Sequence, residues 1–146
     1  MTPSIECDNL IKVSEGLRLE AYRDTGGVWT IGWGHTGPEV REGVRWRQAQ
    51  ADTALRDDVA HAWSAIKDHV GPCTQGQCDA FTDFAFNLGP GALLGSTLLK
   101  LHKAGKFGAA AEQFVLWDHT KIDGRESESG GLKKRRLAEA QMYLKG

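Results

Sequence analysis

The chain has 146 residues, 40% of them hydrophobic, with a formal net charge of -1, enough to bury a core in one domain over residues 1–146, divided into two lobes around a cleft. Three cysteines, Cys7, Cys73 and Cys78, do not make a closed disulfide framework and match no familiar metal spacing, so free thiols are expected, although Cys73 and Cys78 could pair after export. With no basic N-terminal region leading into an apolar run, and nothing near the roughly 18 uncharged apolar residues of a membrane span, the expectation is a soluble product of the cytoplasm without stable membrane association.

Ile5, Leu10, Ile11 and Val13 among polar residues predict a first helix, and Gly16 stands where a helix commonly ends, which puts Glu15 at its C-terminal edge. The β-leaning residues after it, interrupted by Thr25-Gly26-Gly27, predict a small hairpin. Extended chain covers at most about 3.3–3.6 Å per residue, so only a fold-back at those residues returns Thr30 to Asp24. A three-residue loop sets Asp24 opposite Val28 and Tyr22 opposite Thr30. Side chains alternate faces along a strand, so Asp24 and Thr30 then share one face, and a slip of one residue would separate them.

From about Arg47 to Val70, the residues Ala51, Leu55, Val59, Ala62 or Trp63, Ile66 and Val70 form a helical stripe joining the hairpin lobe to the rest of the chain. Gly71-Pro72 stops it, and Thr74-Gln75-Gly76-Gln77 has the form of a capping box, opening a helix that buries Phe81, Phe84, Ala85 and Leu88. Gly89-Pro90-Gly91 reads as a turn, Ser96 caps a helix through about Ala104 that Gly105 ends, and Phe107 to about Trp117 forms another. Asp118 to Gly130 reads as an exposed loop. Gly131 to Leu144 reads as a final helix, apolar at Leu132, Leu137, Ala140, Met142 and Leu144. The fold class is therefore α+β, a small β-containing lobe over about 14–46 and a larger helical lobe over about 47–146 that includes the N-terminal helix.

The near-neutral net charge conceals an asymmetry, with 8 Lys or Arg against 13 Asp or Glu in residues 1–95 and 10 against 6 in residues 96–146. Lys100, Lys103, Lys106, Lys133, Lys134, Arg135 and Arg136 are expected either to form a basic face for an anionic polymer or simply a solvated helix surface. No nucleic-acid motif accompanies them, so no nucleic-acid partner is expected.

Breaking a glycosidic bond needs one carboxylic acid to protonate the departing oxygen and a second group that supplies a nucleophile or activates a water. Glu15 and Asp24 can fill both roles if an apolar wall keeps the first protonated and a solvated turn keeps the second ionised. Thr30, on the face of Asp24, is placed to hold the water. Taken singly, a Glu at a helix end and an Asp in a turn are ordinary surface residues; the fixed spacing is what makes them informative.

Glu15-Gly16-Leu17-Arg18-Leu19, Asp24, and Thr30-Ile31-Gly32-Trp33-Gly34-His35 in this order resemble the phage lysozymes of glycoside hydrolase family 24, the muramidase endolysins. The likeness continues through Phe86-Asn87-Leu88-Gly89 and Gly131-Leu132-Lys133-Lys134-Arg135-Arg136. It implies a lysozyme-like fold, with Glu15 as general acid, Asp24 as general base and Thr30 as the water-orienting hydroxyl, acting with inversion and without cofactor or metal. The implied substrate is peptidoglycan, cut between N-acetylmuramic acid and N-acetylglucosamine. His35, Phe86 and Asn87 are the implied substrate-side residues, His35 chiefly as a brace of the lobe, and Arg135 or Arg136 is expected to pair with Glu15. A monomer is implied, made in the host cytoplasm and released by a holin to act on the wall in the periplasm. A lytic transglycosylase and a catalytically silent wall-binding module remain the alternatives.

Overall fold

The hydroxyl of Ser4 accepts the Glu6 amide and starts helix α1 (Ile5–Glu15), which Gly16, at φ 72°, ends. A computed structural model describes the backbone of residues 1–122, 125–128 and 130–146 and the side chains of residues 1–118 and 131–146. The buried face of α1 consists of Cys7 and Ile11, whereas Ile5 and Val13 face solvent.

Strands β1 (Arg18–Arg23) and β2 (Trp29–Gly32) pair antiparallel with Tyr22 opposite Thr30 and Arg23 opposite Trp29, the register that the three-residue loop requires. The glycine-rich strand expected to run on to His35 is instead broken. Gly32 and Gly34 take φ of 67° and 80°, a left-handed region that costs glycine little, and the chain turns back into β3 (His35–Thr36). The result is a three-stranded sheet in the order β1-β2-β3.

Helix α2 (Gln48–Ile66) buries Ala51, Leu55, Val59, Ala62, Trp63 and Ile66, as the sequence stripe requires, and packs against β2 on one side and the later helices on the other. The helix ends at Ile66, the Lys67 amide closing it on the Trp63 carbonyl, although Val70 beyond it is also buried. Helix α3 (Gln75–Leu88) opens on the expected capping box: the Thr74 hydroxyl accepts the Gln77 amide and the Gln77 side-chain oxygen accepts the Thr74 amide. Every residue from Gln77 to Ala85 is buried, so α3 is surrounded by protein. The Gly89-Pro90-Gly91 turn becomes the start of a short helix α4 (Pro90–Leu94), because proline at the first helical position lacks only a donor that would have no partner there. Helix α5 (Thr97–Lys103) is capped by Ser96, and α6 (Phe107–Phe114) tightens into a 3-10 turn over Val115–Trp117.

The segment read as an exposed loop contains a hairpin of β4 (His119–Ile122) and β5 (Arg125–Glu128), in register from His119 opposite Glu128 to Ile122 opposite Arg125. Its polar composition hid it, while Asp123-Gly124, a hairpin-turn dipeptide in sequence, was the available signal; both residues lie outside the described ones. Helix α7 (Gly130–Lys145) also departs from its expected stripe. Leu137 and Leu144 are exposed, and the buried residues are Arg135, Arg136, Glu139 and Tyr143. Arg135 and Arg136 therefore do not belong to a basic surface, and only Lys100, Lys103, Lys106, Lys133 and Lys134 of that set reach solvent.

A larger core built on Phe81, Phe84, Leu98, Phe114 and Tyr143 fills the helical part, and a smaller one joins Cys7 and Ile11 to Leu55 and Val59. Phe86 packs against both and marks the seam between them. Helices α3 and α7 approach closely at Gly76, where an added Cβ would lie 2.1 Å from the Met142 carbonyl oxygen. Gly76→Ala is expected to lower stability by about 1–3 kcal/mol, read as a fall in the thermal midpoint, since only backbone movement relieves the overlap.

Candidate active site

Glu15 is the last residue of α1, so its side chain leaves the helix where α1 meets α7. Its Oε1 accepts Nη1 of Arg135 at 2.7 Å. Nε and Nη2 of the same guanidinium donate to Asp83 on α3 at 2.9 and 2.8 Å, a two-pronged grip matched to a carboxylate. Asp83 is fully buried, Arg135 nearly so, and Glu15 retains 22% exposure, so this chain of charge runs from the interior to the cleft. Burial works against the charge of Arg135, but the hydrogen bonds and charge of Asp83, and then Glu15, outweigh it and hold the guanidinium charged. Burial likewise opposes the charge of Asp83, yet hydrogen bonds from Glu139 and Arg135 hold it below the usual carboxylate range. Glu139 is pushed well above that range by burial and then by Asp83. The ring of Phe86 lies 5.9 Å from the Arg135 guanidinium and lines a cavity of about 370 Å³ with Gly34, Thr36, Asp58 and His61.

On the hairpin, Oδ1 of Asp24 accepts the amides of Gly26 and Val28 at 2.9 and 2.8 Å, and these bonds build the loop around the carboxylate. The exposed Asp24 thus keeps Oδ2 outside those bonds. Thr30, 4% exposed, donates its hydroxyl proton to the Val28 carbonyl at 2.9 Å, which leaves its lone pairs to accept from a neighbour. Tyr22 stands opposite Thr30 in the observed register, and Asp24 follows directly on the end of β1, its amide donating to the Val28 carbonyl at 3.0 Å. Gly34, in the turn between β2 and β3, brings its backbone against Glu15: a Cβ there would lie 2.7 Å from both Cδ and Oε2 of that residue.

His35 is held between two elements, Nδ1 against Asp58 of α2 at 2.7 Å and Nε2 against Glu39 at 2.6 Å, and its ring lies 5.3 Å from that of Trp46. Both ring nitrogens are occupied, the arrangement of a brace. Burial disfavours its charged form, but the bonds to Glu39 and Asp58 outweigh that and raise its pKa. Asn87 accepts Nη2 of Arg136 at its amide oxygen, 2.7 Å away, and borders, with Glu15, Leu132 and Arg135, a cavity of about 460 Å³. Trp33 is likewise engaged, donating to Asp52 at 2.8 Å. Cys7, Cys73 and Cys78 are unpaired, and burial pushes the Cys78 thiol up to about 12.

Sequence reasoning left open which arginine meets Glu15; the geometry selects Arg135. It missed Asp83, Glu139, Asp58 and Glu39 altogether. For Asp83 a signal existed, since an acid set between Phe81, Phe84 and Ala85 on a buried helix requires a cation from elsewhere in the fold.

Gly34→Ala is expected to displace Glu15 and reduce kcat/KM by about a hundredfold, since a misplacement of about 1 Å can cost that much, with the fold retained by circular dichroism. A second expectation concerns His35. Its pKa is raised on folding, so the stability it contributes is full below its unfolded value and is lost as pH rises through its folded value. The gap in thermal midpoint between the wild type and His35→Gln should therefore be widest below the ordinary histidine range of about 6.5 and narrow as the pH rises above it.

Residues 12–139 match the Phage lysozyme family. The chain is 39% identical over 135 residues to the endolysin of Acyrthosiphon pisum secondary endosymbiont phage 1, covering 92% of each. It is 40% identical over 141 residues to the endolysin of Bacillus phage B103, of whose length it spans about half (52%). The solved endolysin from Escherichia coli O157:H7 phage FAHEc1 superposes with a TM-score of 0.91 at 36% identity, over 99% of this chain and 94% of that one. The chain belongs to the phage lysozyme family.

Proposed function

We propose that this phage lysozyme is an endolysin that lyses host cells by hydrolysing peptidoglycan, cutting between N-acetylmuramic acid and N-acetylglucosamine by acid–base catalysis. It is a muramidase of the glycoside hydrolase class. The observation that supports the mechanism is the placement of Glu15 at the mouth of a buried charge chain, with Asp24 at the loop of the hairpin and Thr30 on its strand β2. Glu15 gives its proton to the departing glycosidic oxygen. Asp24, through Oδ2, takes a proton from a water whose oxygen bonds the anomeric carbon on the opposite face as the glycosidic bond breaks, so the configuration inverts. Thr30, its own proton committed to the Val28 carbonyl, accepts a hydrogen bond from that water and aims it. No cofactor enters this balance.

Phe86 and Asn87 meet the sugars, the ring beneath a pyranose face and the amide beside an N-acetyl group, and His35 serves them by fixing β3 to α2. The protein acts as a monomer on the wall, released by a holin. Among the described residues no helix is long and apolar enough to cross a membrane. The chain is also 38% identical over 130 residues to a SAR-endolysin of Escherichia phage Mu, which supports a periplasmic place of action.

Glu15→Gln should reduce turnover of purified peptidoglycan by about 10²–10⁴-fold while leaving the circular dichroism spectrum unchanged. Mass spectrometry of the wild-type products should show reducing ends. Anhydro ends would assign a transglycosylase, and full activity in Glu15→Gln would remove Glu15 from the acid role.

A further inference from the structure

A salt bridge of 2.7 Å to Arg135 poses a difficulty for a general acid, because a guanidinium at that distance favours the carboxylate over the protonated form. The other side of Arg135 carries the answer. Two of its nitrogens are committed to Asp83, which has no exposed side-chain surface, whereas only one meets Glu15. We infer that Asp83 is the positioning residue of this reaction: by gripping Arg135 at two points, it takes up the guanidinium charge that would otherwise strip the proton from Glu15. The inference rests on the reading of Glu15 as the acid.

The other buried carboxyl nearby, Glu139, does not fill this role. Burial and the charge of Asp83 push its pKa up, and it pairs with Arg136 at 2.7 Å, whereas the hydrogen bonds and charges acting on Arg135 come from Asp83 and then Glu15. Burial, and then the charge of Asp83, push the Cys7 thiol of α1 up. Around Glu15 the remaining groups are few. β1 supplies Tyr22, whose hydroxyl is pushed up by burial and then by Glu15, with Arg18 4.3 Å from its ring and Asp24 beyond. Lys134 borders the same cavity as Glu15, and Lys12 lies over Trp33. The turn between β2 and β3 offers Gly34, with no side chain at all.

The test is a carbon-13 NMR titration of the side-chain carboxyls, run beside kcat/KM on peptidoglycan as a function of pH, in the wild type, Asp83→Asn and Asp83→Glu. In Asp83→Asn, Glu15 should lose its proton about one to two pH units lower than in the wild type. The alkaline limb of kcat/KM should move down by the same amount, leaving the rate at neutral pH about tenfold or more below that of the wild type. Asp83→Glu, which keeps the charge, should return both toward the wild type. A folded Asp83→Asn in which Glu15 titrates where it did before, with rates lowered equally at every pH, overturns the inference and leaves Asp83 a structural residue. Should Asp83→Asn fail to fold, the wild type decides: Asp83 ionised throughout the titration of Glu15 supports the inference, and Asp83 neutral over that range overturns it. Activity retained in Glu15→Gln would instead refute the acid reading, and the shift of the Glu15 signal would still report on Asp83 separately.

Discussion

Arg135 brings together three helices that lie far apart along the chain. It starts on α7, grips Asp83 on α3 with two nitrogens and reaches Glu15 on α1 with a third. Removing a guanidinium from water is expensive, and one that is 4% exposed is retained only where carboxylates repay the lost hydration with good geometry. Both conditions hold here, and together they tie α7 to α1 and α3. Arg136 repeats the pattern one residue on, with Asn87 and Glu139 as partners, so α7 enters the interior through polar contacts where most helices would present leucines.

The sheet meets this assembly from the other side, and glycine sets the distance. Gly34 lets backbone lie against the Glu15 carboxyl, where any side chain would collide with it. The loop carrying Asp24 is built by the carboxylate itself, since the amides that close the turn donate to its Oδ1. Orientation and loop formation are thus one event, and the residue proposed to act on water is also the residue that shapes its own surroundings.

Much of this was legible in the sequence where local rules decide. The capping box at Thr74, the Ser96 cap, the apolar stripe of α2 and the hairpin register each derive from a few neighbouring residues, and each is present as expected. The polar interior was not legible. An apolar-stripe rule assigns Leu137 and Leu144 to the core and leaves Arg135, Arg136 and Glu139 outside, the reverse of what occurs, because their burial is justified only by Asp83, Glu15 and Asn87 on other helices. Periodicity sees one helix at a time, whereas a buried charge is a statement about two. The same reason hid the partners of His35, which come from α2 and from the turn after β3.

The contact between Glu15 and Arg135 spans 120 positions of sequence. During synthesis, the sheet, α2 and α3 all leave the ribosome well before α7 exists, so for most of that time Asp83 has no cation to meet and α3 cannot settle fully into the interior. The carboxyl of Glu15 waits for the same guanidinium. A nascent or truncated chain ending before Arg135 therefore carries Asp24 and Thr30 on their hairpin while Glu15 still lacks its partner, and the proposed site is complete only when the sixteen-residue helix α7 docks.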